Sequence, residues 1–238
     1  MAVCPRTPGE AAMKLRPVRS FLLVAALVLL SGCANHPPVP DWQMSADSTA
    51  QRAVAAFLQG KQRLEKLEFE RARAATARTG DPVLLARVEL LRCAAQVASL
   101  HIEPCTAFEA LRADTGMAEQ AYADYLAGRL DVNRITLLPI AQQSVATAAN
   151  PAAALQAITE PLPRLVAAGV LLQTGRADRA VMALATDTAS AQGWRRPLLA
   201  WLLLQSKSAQ SAGDADEVAR LQRRIAIVEY GAMPESKP

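Results

Sequence analysis

The chain has 238 residues, with 26 basic and 22 acidic side chains, four cysteines, 51% hydrophobic and only 4% aromatic content. Residues 1–32 hold Arg6, Lys14, Arg16 and Arg19 against Glu10, so residues 33–238 carry 22 basic against 21 acidic side chains. That balance leaves no electrostatic footprint for a nucleic-acid partner.

Lys14, Arg16 and Arg19 precede the apolar run 21–30, and Leu30-Ser31-Gly32-Cys33 follow it. A basic segment, an apolar segment and a small-residue exit make up a secretory signal. The run is short of the ~20 helical residues that span a bilayer core of about 30 Å, which argues against a permanent span. The quartet Leu30-Ser31-Gly32-Cys33 resembles the lipobox of bacterial lipoproteins. The resemblance implies cleavage before Cys33 and a diacylglycerol thioether on its sulfur. It also implies a third acyl chain on the new amino terminus. Two or three chains anchor stably where one does not. Ala34, where enteric-type sorting reads Asp as retention in the inner membrane, implies the outer membrane, on its periplasmic face. Residues 1–12, with Pro5 and Pro8, add nothing a signal needs, and Met13 is the expected initiator.

Residues 33–44 read as a lipidated tether stiffened by Pro37, Pro38 and Pro40, with Trp42 and Met44 available to dock it onto the body. Residues 45–230 read as one all-α domain. The composition favours helix formers, and no stretch sustains a period-two alternation closed by hairpin turns. A helical block is expected over 45–79, with Gly60 near its middle. Its second half is a charged face around Glu65, Glu68 and Glu70, read as solvated, beside an apolar stripe of Leu64, Leu67, Ala72 and Ala75. Gly80-Asp81-Pro82 marks a helix end, a cap and a first turn.

An amphipathic helix is expected over 83–100, and another begins at 106–112 and resumes at 117–126. A helix over 131–149 is expected to bend at Pro139, and a short one follows at 152–159. Four regular helices are expected at 164–174, 177–191, 196–212 and 214–229, with turns at Gly175, Gly193 and Gly213. The almost wholly apolar segment 197–204 is expected to be the most buried. Residues 231–238 read as a frayed tail.

Around residues 171–180 the spacing resembles tetratricopeptide repeats, with Ala168, Leu171, Gly175, Ala180 and Leu184 on small or apolar consensus positions. Arg164 stands where the repeat usually has Trp, Pro197 is displaced from the usual proline position, and no 34-residue period runs through the chain. The resemblance implies an array of antiparallel helical hairpins. An irregular bundle is the alternative.

Cys93 and Cys105 are the two cysteines left in an oxidising compartment once Cys4 is removed and Cys33 is lipidated. Seven helical residues back from Leu100 cover about 10 Å, and four extended residues return about 13 Å, so the two can meet. A disulfide is expected, against two buried thiols.

The chain has no phosphate loop, dinucleotide glycines, HExxH, CxxC or nucleophile elbow. His36 falls in the tether, and His101 falls in a turn near Glu103, where a local hydrogen bond is a better reading than general-base work. No metal and no cofactor is expected. Trp194 and Trp201, seven apart and beside Arg195 and Arg196, form the candidate partner contact, because Trp and Arg are enriched at binding hot spots. The alternative is that both tryptophans are core.

Together these features point to a non-enzymatic adaptor held in the outer membrane through lipid on Cys33, with an envelope protein as partner. A structural lipoprotein without a specific partner, and a periplasmic enzyme acting on cell wall or lipid, are the alternatives.

Overall fold

The computed structural model describes residues 40–231. The expected signal, Met13, the lipobox-like quartet with Cys33, His36 and the tail after Gly231 lie outside the described residues.

The described residues are helices and turns without a strand: α1 Asp41–Leu58, α2 Gln62–Ala77, α3 Pro82–Ala98, α4 Thr106–Glu109, α5 Met117–Leu126, α6 Ile140–Ala146, α7 Pro151–Ala157, α8 Pro161–Gln173, α9 Arg179–Ala191, α10 Arg195–Ser211 and α11 Ala215–Tyr230. Short 3₁₀ turns cover Arg112–Asp114 and Val132–Leu137. None of these helices is long and apolar enough to cross a membrane.

Gly60, at φ +79°, folds the first block into the hairpin α1–α2. The helix begins at Asp41, directly after Pro40, so Trp42 and Met44, expected outside the body, belong to α1. Nothing after Pro40 forbids helix, and the Asp41 carboxylate suits a helix amino terminus.

The buried side of α2 is Glu68, Phe69, Ala72, Ala75 and Thr76, while Leu64 and Leu67 are exposed. The face read as solvated is thus partly interior. Glu68 is only 3% exposed, and its carboxylate accepts from Arg52 on α1 at 2.9 Å and from Arg71 at 2.8 Å. One helix further on, Glu89 is equally buried and takes both Nε and Nη2 of Arg73. Paired and hydrogen-bonded on both oxygens, these carboxylates tolerate burial.

The α2–α3 junction follows the sequence. Asp81 Oδ1 accepts from the amides of Val83 (2.8 Å) and Leu84 (3.4 Å), and Pro82 takes the first helical position. At the far end, Leu100 leaves α3 at φ +56°, and the His101 amide returns to the Gln96 carbonyl at 2.9 Å, a glycine-type helix stop made by leucine.

The helix expected over 131–149 is two pieces. Leu138 is extended (ψ 157°), and Pro139 caps α6 instead of bending one continuous helix. The residue before a proline avoids the α region, and a proline nitrogen cannot donate.

The centre of the fold is α8. Residues 165–171 are all buried, between α3 on one side and α6, α7 and α9 on others. Pro161 and Pro163 fall in its first turn, where an amide would lack an intrahelical partner anyway. Segment 197–204 in α10 is not the most buried. Pro197, Trp201 and Leu202 are interior, but Leu203 is 50% exposed, because α10 has α9 and α11 beside it and an open face. A larger core joins α3, α5, α8 and α9 with Trp201, and a smaller one joins α1, α2 and α3. The helices α9, α10 and α11 run on as successive neighbours through glycine turns.

Candidate functional site

Cys93, on α3, and Cys105, the residue before α4, are a pair at disulfide distance, with Cα atoms 5.9 Å apart. The closed loop is short, and its reduction is expected to cost about 3 kcal/mol, within the usual range. Chemical denaturation with and without reductant measures this. A midpoint that reductant does not move would show that the pair adds nothing. In the same loop His101 Nε2 sits 3.1 Å from Glu103 Oε2, a local contact between two exposed side chains.

The four residues of the expected partner contact are engaged within the chain. Trp201 is fully buried and its Nε1 donates to the Ala98 carbonyl at 3.2 Å. Trp194 is half-buried where α10 begins and packs against both cores. Arg195 donates to the carbonyls of Val228 and Glu229, each at 3.0 Å. The two arginines that oppose the α10 dipole therefore have other roles, and Arg195 serves the negative end of α11. Arg196 lies 4.1 Å above the Phe57 ring and 3.6 Å from Glu65. Of the four, Trp201 alone is fully interior, while Trp194 and Arg196 are half-buried and Arg195 is exposed. What could signal this in the sequence is the apolar run after Pro197, which a core tryptophan fits.

Two other surfaces stand out. The first is the end of the array among the described residues. The last helix, α11, packs principally on α10 and has only Leu221 fully buried. Ile227 (49% exposed) and Tyr230 (74%) lie three apart on it, and Leu203 is exposed on α10.

The second is a cleft of about 430 Å³ that α5, the Val132–Leu137 turn, α6 and α8 share. Leu130, Ile135, Val145 and Val170 line it, with Tyr125, Thr147, Thr174 and Arg176 as polar members. Arg176 donates to the carbonyls of Ala146 (2.7 Å) and Ala148 (2.6 Å), closing the carboxyl end of α6. Sequence reasoning missed this cleft, because four separate segments build it and none has a motif.

A polar cluster lies elsewhere. Asp124 accepts from Arg112 (3.0 Å) and Arg134 (2.9 Å), and Glu109 binds Arg112 through both oxygens. The hydrogen bond from Arg112 holds the Glu109 carboxyl below its ordinary range. The cluster ties α4, α5 and the Val132–Leu137 turn together. It is a clamp, in which Glu109 and Asp124 are shared among Arg112, Arg134 and, at 3.5 Å, Arg129.

Comparison with protein-family models, curated proteins and solved structures returns no match.

Proposed function

We propose that the chain is a lipoprotein anchored in the outer membrane through Cys33, where it acts as a non-enzymatic adaptor for an envelope protein. The observation that carries the docking half of this reading is that array end. α11 leaves Ile227 and Tyr230 to solvent beyond its single covered side. A helical array presents an extended binding surface, and a last helix with one covered side among the described residues is where another element can extend it. Tyrosine suits such a contact, with a large apolar ring and a polar tip.

The anchoring half rests on the resemblance of Leu30-Ser31-Gly32-Cys33 to a lipobox. Seven residues separate Cys33 from Asp41, and at full extension they reach about 25 Å. A body tethered that closely meets membrane neighbours at raised effective concentration.

The test is in-cell photo-cross-linking from position 227 in the full chain, read by mass spectrometry beside a Cys33→Ser control. One dominant envelope protein is expected, with its yield reduced about tenfold in the control by loss of confinement. Absence of any reproducible partner would remove the adaptor reading.

A further inference from the structure

The cleft between α5, α6 and α8 is independent of the array end, and its lining specifies a ligand. We propose that it holds an acyl chain whose anionic oxygen head meets Tyr125 and Arg176. Its volume of about 430 Å³ falls within the ~300–1,000 Å³ of small-molecule sites, and its lining has the expected form, apolar walls with a few convergent polar groups. Leu130, Ile135, Val145 and Val170 supply the walls.

Tyr125 lines the cleft and is 3% exposed. A ligand acceptor that meets the hydroxyl of this phenol adds affinity. Burial, and then the neighbouring Tyr122, pushes the phenol well above its ordinary range, so it stays protonated and serves as a donor.

Arg176 is half-buried, has no carboxylate partner among the described residues, and spends one N–H on each of two carbonyls. A guanidinium has five N–H groups, so three remain for an anion. A cation and a phenol beside apolar walls match a carboxylate or phosphate head on a hydrocarbon chain. Val132, at the cleft and 68% exposed, offers an apolar entrance.

The experiment photolyses the full chain with a diazirine-bearing twelve-carbon fatty acid and maps the labelled peptides. A second arm uses phosphatidylglycerol vesicles with the diazirine on one acyl chain, and the arm that labels identifies the source, free acid or membrane lipid. Label is expected within 125–135, 145–147 and 167–176. Dodecanoate should displace it at least fivefold better than dodecanol. Tyr125→Phe should weaken binding about fivefold, the usual worth of one hydrogen bond. Val132→Asp, at an exposed site, should lower labelling by repelling the anionic head while the helical circular dichroism is unchanged. Label scattered over the surface, equal displacement by alcohol and acid, or labelling indifferent to both substitutions would overturn the proposal.

Discussion

Replacing Gly169 by alanine is expected to destabilise the protein by about 3 kcal/mol, the upper end of the overpacking range. For a domain of this size that lowers Tm by about 6–12 °C. Alanine in a helix interior ordinarily gains ~0.5–1 kcal/mol over glycine, so both the sign and the size are diagnostic. Gly169 lies in the buried row of α8, where α8 crosses α3. A Cβ there would collide with the Val97 carbonyl oxygen and stand 2.8 Å from Val97 Cγ1. The nearest obstacle is backbone, which cannot rotate away as a side-chain end can. The two central helices would have to separate, loosening the contacts on which the larger core depends. Thermal melts of the full chain and of Gly169→Ala decide the matter. A variant as stable as the parent, or more so, would show that the crossing is not this close.

How much of this was legible in the sequence depends on the reach of each interaction. The turns at Gly175, Gly193 and Gly213 were placed correctly, and all three have positive φ with no neighbour within 4 Å, so the backbone conformation alone selects glycine there. The cap at Asp81 acts within three residues and was legible, whereas Asp178 and Asp214, expected inside their helices, stand just before them as caps. Glu68 and Glu89 were not legible as buried, since each is neutralised by an arginine sixteen residues away on a neighbouring helix. The charge pattern of α2 alone reads as solvated. Leu64 and Leu67 failed for the complementary reason. Helical spacing gives a stripe, but the partner helix chose the adjacent one. Pro139 was seen, but its effect on Leu138 turned an expected bend into an end. Of the repeat-like positions, Ala168 and Leu171 are buried whereas Ala180 is exposed and Val181 takes the interior place. The candidate cleft was illegible because its polar pair, Tyr125 and Arg176, lies on separate elements about fifty residues apart.

Trp201→Ala is expected to cost about 4 kcal/mol, within the range for removing a large buried aromatic. Tm should fall by about 8–16 °C. The whole side chain is interior, against the core formed around α3, α8 and α9. Its truncation leaves a cavity that surrounding helices can only partly close. The indole has a second role, since its N–H donates to the Ala98 carbonyl, 103 residues away, at 3.2 Å. Ala98 is the last residue of α3, where carbonyls lack intrahelical partners, so a residue of α10 finishes a helix from the other half of the chain. Trp201→Phe separates the two roles. It keeps most of the apolar burial and loses the donor, so it should cost about 1–3 kcal/mol, the penalty of one buried acceptor left without a partner. The expected order is parent, Phe, Ala, measured by denaturant midpoints at constant slope. If Phe and Ala prove equal, the hydrogen bond to Ala98 dominates over packing. If Ala costs under 1 kcal/mol, Trp201 is not a core residue and returns as a candidate for contact with a partner. The outcome also bears on Gly169, because Val97, against which α8 is packed, immediately precedes Ala98. Two helices thus close on one turn of α3. The double variant Gly169→Ala/Trp201→Ala should depart from additivity by at least 0.5 kcal/mol, as expected for sites that share a backbone neighbour.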